Sequence, residues 1–392
     1  MSSTSELASF AARLRESILA SEWGATTSLN SVADFEALAL QLFALQFKHN
    51  APYRRLCEAR GARPGTIARW TDIPAAPTSA FKEFDLSCLP AAERTTVFHS
   101  SGTTGQRPSR HHHSAASLAL YEASALAWFE AHFQLPMANG QSDKATLQPA
   151  GKLGIGNWQL AILTPPPAEA PHSSLVHMFD TVRRECGHAG TPYVGTAAEG
   201  GTWTLDAEAA LERLRAACGS GQPLLMLGTA FSYVHLLDYL AEQDLRFELP
   251  PDSCALETGG YKGRSRSLPK AGLHALISER LGIPPGHIIC EYGMSELSSQ
   301  AYDGTIGASR ITHHASRVFH FPPWARVQII SPETGHEVAE GETGLIRVID
   351  LANVYSVMAI QTEDLGIRRG SGFALAGRAV FAEPRGCSLL AV

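Results

Sequence analysis

From about residue 90 onward, short runs of β-forming residues alternate with segments of helical periodicity, and this alternation constrains the fold more than any other feature. The predicted strands are Leu160–Leu163, Leu224–Leu227, Ile288–Glu291, Val327–Ile330, Leu345–Ile349 and Ala379–Ala382. The predicted helices are Ser117–Phe133, Leu205–Cys218, Ser232–Glu242 and Lys270–Leu281. Strands separated by helices imply an α/β fold whose parallel or mixed sheet is covered on both faces. Ahead of this region the chain reads as helical. Leu7, Phe10, Leu14 and Ile18 recur at helical spacing over residues 3–20, and Phe35, Leu38, Leu42 and Leu45 mark the buried side of a second helix after Ser31. After about residue 320 strand follows strand, with Gly-rich turns such as Glu340-Gly-Glu-Thr-Gly344. The organisation expected is a mostly helical stretch over 1–95, an α/β core over 96–320 and a β-rich lobe over 321–392.

Composition removes several functions. The net charge is −6, and neither a basic block nor an interleaving of aromatic and basic residues is present, which argues against nucleic acid as a partner. The most apolar stretch, Pro223 to Ala241, contains His235 and Asp238 and fails as a membrane span. The start of the chain lacks the basic and apolar regions of a secretory signal. The 7 cysteines are scattered, at positions 57, 88, 186, 218, 254, 290 and 387, and form no C-x-x-C pair. That pattern fits reduced thiols, and the expectation is a cytoplasmic enzyme.

Three segments carry polar chemistry. Ser100-Ser-Gly-Thr-Thr-Gly105 follows the strand-like Thr95–His99; its glycines let backbone N–H groups turn inward and its hydroxyls add donors, as a phosphate loop requires. A flexible surface turn has the same composition, and no Gly-Lys-Ser/Thr follows, so it is not a Walker loop. Glu291-Tyr-Gly-Met-Ser-Glu296, at a strand end, supplies an aromatic face, a bend, a hydroxyl and a carboxylate. Thr362-Glu-Asp-Leu-Gly366 places an acid on a turn after the apolar run Val357–Ile360. Each segment has a purely structural explanation, with Tyr292 as core and Asp364 as a turn former. Together they supply what a magnesium nucleotide needs: a plane for the base, acceptors for ribose, donors for phosphate and a hard oxygen for the cation. His111-His-His113 reads as a solvated polar segment, because three consecutive side chains do not readily point at one ion.

These segments, in this order, resemble the adenylate-forming superfamily of acyl-CoA synthetases, luciferases and adenylation domains. Ser100–Gly105 is similar to its phosphate loop and Tyr292-Gly-Met-Ser-Glu296 to its Tyr-Gly-x-Thr-Glu motif. Closer still is the resemblance to the LuxE-type acyl-protein synthetases, carried by Ile73-Pro-Ala-Ala-Pro-Thr-Ser-Ala-Phe-Lys82, Ser173-Ser-Leu-Val-His-Met178, Thr258-Gly-Gly-Tyr-Lys-Gly263, Thr362–Gly366 and Arg385-Gly-Cys-Ser-Leu389. The fold implied is the large domain of adenylate-forming enzymes, without the small C-terminal lid that two-domain relatives carry.

The resemblance implies ATP and Mg²⁺ as cofactors and a carboxylic acid as substrate. It places Ser100, Ser101, Gly102, Thr103, Thr104 and Gly105 around the β- and γ-phosphates. Adenine would lie against Tyr292 and Gly293 on one side and against Gly259, Gly260 and Tyr261 on the other. Ser295 would touch the α-phosphate or the acyl carboxylate, Glu296 would hold Mg²⁺, Asp364 would bind the ribose hydroxyls and Arg378 would approach the nucleotide. Lys262 is a candidate cation near the developing charge, or a surface lysine. Cys387 matches the thiol that receives the acyl group in LuxE-type enzymes; Gly386 gives it freedom and Arg385 favours a thiolate, although a free cysteine is more often inert. The acyl tail would need apolar walls, for which Leu227–Tyr233, His177, Met178 and Phe179 are candidates. Two departures stand out: Gln106 and Arg107 occupy the place of a lysine common after the loop, and Thr-Glu-Asp replaces Thr-Gly-Asp.

The function implied is ATP-dependent acyl activation followed by transfer through Cys387 to an acyl-accepting reductase or acyl carrier protein. Two alternatives share the motifs: a ligase handing acyl-AMP to coenzyme A, a carrier or an amine, and a nucleotide-binding module without turnover.

Overall fold

A computed structural model of the chain describes residues 3–20, 31–100, 107–133, 158–185, 190–198, 202–259, 268–306 and 317–379. In chain order the elements start with helices α1 (Ser3–Ala20), α2 (Val32–His49) and α3 (Ala51–Ala59). Strand β1 (Ala76–Pro77), helix α4 (Ala80–Glu83), strands β2 (Thr96–His99) and β3 (Arg110–His113) and helix α5 (Ala115–Phe133) follow. Next come β4 (Gln159–Ile162), α6 (Ser174–Glu185), β5 (Gly195–Ala197), β6 (Trp203–Leu205), α7 (Ala207–Ser220), β7 (Leu224–Thr229), α8 (Ala230–Glu242), β8 (Cys254–Thr258), α9 (Lys270–Leu281) and β9 (Ile288–Tyr292). The chain closes with β10 (Ala301–Tyr302), β11 (Ala325–Ile330), β12 (Thr343–Asp350), β13 (Ala359–Arg369) and β14 (Gly372–Arg378).

Two compact units form, each from discontinuous stretches. The first comprises Met1–Trp128, Gly293–Ala301 and Val318–Glu383; the second comprises Phe129–Tyr292, Tyr302–Arg317 and Pro384–Val392.

In the first unit, β11, β12, β13 and β14 pair antiparallel in succession, and β1 joins β13 in parallel. Leu7, Phe10, Leu14 and Ile18 of α1 are all buried, as their spacing predicts. The buried stripe of α2 is rotated from the expected one. Phe35, Ala39, Leu42, Phe43 and Gln46 face inward, while Leu38 and Leu45 are half-buried. The reason is Gln46: its amide donates to the carbonyls of Asn353 and Val354 and its oxygen accepts from the Met358 N–H, so a polar residue occupies an interior position.

In the second unit, β4, β7, β8 and β9 lie side by side and parallel. β7 is buried throughout, as expected of a parallel strand covered on both faces. Leu224 and Met226 of β7 and Ile288 of β9 pack in one cluster with Leu214 of α7, Leu237 and Leu240 of α8, and Leu273 and Ile277 of α9.

The predicted helix over 205–218 begins at Ala207. Leu205 pairs with Gly195 in a β-ribbon, and the Asp206 side chain accepts the Ala209 N–H as N-cap. Strand β8 escaped prediction, since Cys-Ala-Leu-Glu-Thr has one β-branched residue and contains Ala and Glu, which strands disfavour. Strand β14 ends at Arg378, ahead of the strand predicted at Ala379–Ala382. Ala379 lies outside any strand, and the rest of that segment lies outside the described residues.

Candidate functional site

In the first unit, β2 leads into the predicted phosphate loop and β3 leads away from it. The two strands pair antiparallel, with His99 opposite Arg110. The Ser100 hydroxyl accepts the Ser109 N–H at 3.0 Å and closes the neck of the loop. Ser101, Gly102, Thr103, Thr104 and Gly105 lie outside the described residues, as do Gly260, Tyr261, Lys262 and Cys387.

The segment Gly293–Glu296 is held by its surroundings in the same unit. Gly293 is exposed, Ser295 is buried and Glu296 is 1% exposed. The Ser295 hydroxyl donates to the Glu296 carboxylate at 3.1 Å. His111 donates from Nδ1 to the Ser295 carbonyl at 2.8 Å, and the Asn353 amide donates to the Glu296 carbonyl at 2.8 Å. Just beyond, Asp350 accepts the Ser298 and Ser299 N–H groups, both at 2.9 Å, and the Ser299 hydroxyl at 2.8 Å. Burial pushes the Asp350 carboxyl up to about 6, against the opposing pull of these donors.

His111 corrects the sequence expectation. The triple histidine is strand β3, not a solvated segment, and its alternate side chains His111 and His113 are 2% and 1% exposed. The period of two along a strand places them on one face, against Phe81, Phe98 and Tyr121. Burial depresses His111 to about 4, so the ring is neutral near pH 7 and the proton it retains serves the Ser295 carbonyl. His111, Asn353 and Asp350 are the residues that motif reading missed. A strand assignment after the loop would have exposed the first. Nothing local marks the other two, which matter only because β12 ends beside Ser298.

Asp364 also corrects an expectation. It lies inside the 11-residue strand β13, not on a turn. Asp364 faces Arg378 across the β13–β14 pair, and the register shifts between Leu365 and Gly366. Gly366 is there for packing: a Cβ would meet Ile329 Cδ1 and Ile346 Cγ1 at 2.9 Å. Arg378 Nε sits 3.2 Å from the Asp364 carboxylate and Nη2 donates to Glu363 at 2.8 Å.

In the second unit, β8 and β9 are neighbours in register, Thr258 opposite Glu291. Their next residues, Gly259 and Tyr292, therefore come together at the carboxyl ends of adjacent parallel strands, where open α/β sheets bind ligands. Gly259 has φ +78°, a left-handed conformation suited to glycine, and open space where a side chain would project. Tyr292 is 7% exposed. The Thr258 hydroxyl donates to the Glu291 carboxylate, and burial raises that carboxyl to about 7.

Among the described residues no group of His, Cys, Asp or Glu is arranged to hold a metal by itself, and no helix is long and apolar enough to cross a membrane.

The mixed α/β fold described above is shared with a solved CoA ligase. A 2-hydroxyisobutyryl-CoA ligase in an open conformation with 2-HIB-AMP and CoA superposes with a TM-score of 0.60 at 14% identity, covering 88% of this chain and 69% of that one. The family model for acyl-protein synthetase, LuxE, matches residues 156–391, and the chain belongs to that family of ligases. It is 23% identical over 329 residues to a long-chain-fatty-acid–luciferin-component ligase of Vibrio harveyi, covering 83% of this chain and 77% of that protein. The protein of the same name from Aliivibrio fischeri is 24% identical over 165 residues, 42% of this chain and 41% of its own length.

Proposed function

We propose that this ligase activates a fatty acid with ATP, takes the acyl group onto Cys387 and delivers it to a partner protein, a reductase or an acyl carrier protein. One observation carries the nucleotide part: Gly259 and Tyr292, far apart in sequence, end adjacent parallel strands and give adenine a glycine wall and an aromatic face. The relatives' names, which specify a long-chain fatty acid, support the substrate class.

The chemistry of the donor set suits a magnesium nucleotide. A single carboxylate is enough for Mg²⁺ when phosphates supply other ligands, and a carboxylate buried as Glu296 is favours a cation. Bound there, Mg²⁺ would offset charge on the phosphates. Asp364 and Arg378 offer an acceptor for ribose hydroxyls and a cation for the nucleotide, and Ser295 a hydroxyl for the α-phosphate or the acid. The phosphates fall to Ser100–Gly105, and Lys262 is the further cation.

The acid arrives already ionised. Its oxygen attacks the α-phosphorus and pyrophosphate leaves, so no general base is needed, and oriented donors offset the charge that accumulates. The mixed anhydride formed is open to attack by the Cys387 thiolate. Lys262 is a candidate for the work that the lid lysine does in two-domain relatives.

Intact-mass measurement after incubation with ATP, Mg²⁺ and a panel of acids tests the reading. An added acyl mass, released by hydroxylamine and mapped to Cys387, is expected. Acid-dependent ATP–pyrophosphate exchange without protein-bound acyl would point to a ligase with a free acceptor, and no exchange with any acid would leave a binding module.

A further inference from the structure

The second unit contains a buried cluster of titratable side chains that acyl activation does not use. Glu257 on β8 and Cys290 on β9 are direct cross-strand partners, so their side chains share a face of the sheet. Helix α9 lies on that face and lowers Lys270 and His274, one turn apart, onto the pair. His274 meets the Glu257 carboxylate at 3.2 Å, and Lys270 Nζ lies 3.7 Å from the same oxygen. Glu257 and Cys290 are 1% and 3% exposed, whereas the Lys270 side chain keeps 35% of its surface in solvent.

The contact that stands out is Lys270 Nζ to Cys290 Sγ, at 2.6 Å. This is shorter than an ordinary N–H···O hydrogen bond of about 2.7–3.2 Å, although sulfur is larger than oxygen. It is also too long for a direct S–N bond. It is the spacing at which one oxygen atom bridges nitrogen and sulfur.

We propose that Lys270 and Cys290 form a reversible oxidative cross-link, Cys–S–O–NH–Lys, when the protein meets hydrogen peroxide. One equivalent of peroxide converts the thiol to a sulfenic acid and releases water. A second oxidises the amine nitrogen to the hydroxylamine level and releases another water. Condensation of the S–OH with the N–OH expels a third water and leaves one oxygen between the atoms. The balance is RSH + R′NH₂ + 2 H₂O₂ → RS–O–NHR′ + 3 H₂O, with sulfur and nitrogen each losing an electron pair. Excess thiol reductant returns four electrons as two disulfides, regenerating thiol and amine and releasing the oxygen as water. Burial of Cys290 opposes the higher oxidation states of the ladder, which need room for further oxygens, while the exposed flank of Lys270 gives peroxide its approach. The product would tie α9 to β9 two residues before Tyr292.

The test treats the full chain with hydrogen peroxide, blocks remaining thiols, digests without reductant and maps peptides by high-resolution mass spectrometry. The expected species joins the Lys270 and Cys290 peptides, heavier than their sum by one oxygen and lighter by two hydrogens. It disappears after dithiothreitol, and the unreduced protein melts at a higher temperature than the reduced one. Cys290→Ser and Lys270→Arg, each checked for folding by circular dichroism, are both expected to lack the species. Unlinked Cys290 as sulfinic or sulfonic acid, a direct S–N link without oxygen, or an unmodified thiol in the wild-type chain would each overturn the proposal.

Discussion

Arg378 and Asp364 sit directly opposite each other across β13 and β14, with the guanidinium Nε 3.2 Å from the carboxylate. The same guanidinium donates to Glu363 at 2.8 Å, so two adjacent acids share one cation. These side chains are half-buried, and with solvent screening such a pair contributes about 1 kcal/mol to stability, which makes a purely structural role weak. Asp364→Ala is therefore expected to shift the melting temperature little. Its KM for ATP in pyrophosphate exchange should rise about 10- to 100-fold, the loss of one or two hydrogen bonds to a charged group. A large melting shift with unchanged KM would return the pair to the scaffold.

Cys387→Ala separates activation from transfer. Acid-dependent pyrophosphate exchange should persist near the wild-type rate, while protein-bound acyl label should vanish. Label retained in this variant would move the acceptor to another thiol.

Asp350 supports the segment that carries Ser295 and Glu296. Replacing it by Ala leaves the Ser298 and Ser299 N–H groups and the Ser299 hydroxyl without their buried acceptor. A cost of about 2–5 kcal/mol is expected, read as a lower denaturation midpoint at constant m-value. Asp350→Asn, which keeps an acceptor oxygen, should lose less.

His111 makes stability depend on pH in a defined direction. Its folded-state value, about 4, lies below that of an unfolded histidine, so between these values the unfolded chain binds more protons. Stability contributed by the neutral ring is full above the unfolded value, about 6.5, and is lost as the pH falls toward 4. Asp350, raised to about 6, acts oppositely over an overlapping range: the folded chain holds its proton longer, and that contribution declines as the pH rises from about 3.9 to 6. The comparison therefore uses melting curves of wild type and His111→Asn from pH 4 to 7. The gap in melting temperature should widen toward neutral pH; a constant gap would mean that the ring does not titrate on unfolding.

The parts of the site that were legible in the sequence are those with a local cause. The strand ending at Tyr292 opens on two β-branched isoleucines, and the helix predicted over Lys270–Leu281 has the bounds of α9 because its apolar residues recur at helical spacing. Asp364 reads as a turn former because an acid after an apolar run has the same local chemistry in a turn and in a bulged strand. His111 was misjudged because a run of histidines reads as polar until a partner strand fixes which of them face inward.

By itself the sequence determined the alternation of α7, β7, α8, α9 and β9 and the resemblance to the LuxE family, since each depends on periodicity or on residues within one short segment. Only the tertiary structure decided that Arg378 meets Asp364, that Asn353 and His111 grip the carbonyls of Glu296 and Ser295, and that Lys270 reaches Cys290. These contacts join residues brought together by strand register and helix docking, and no local propensity encodes them.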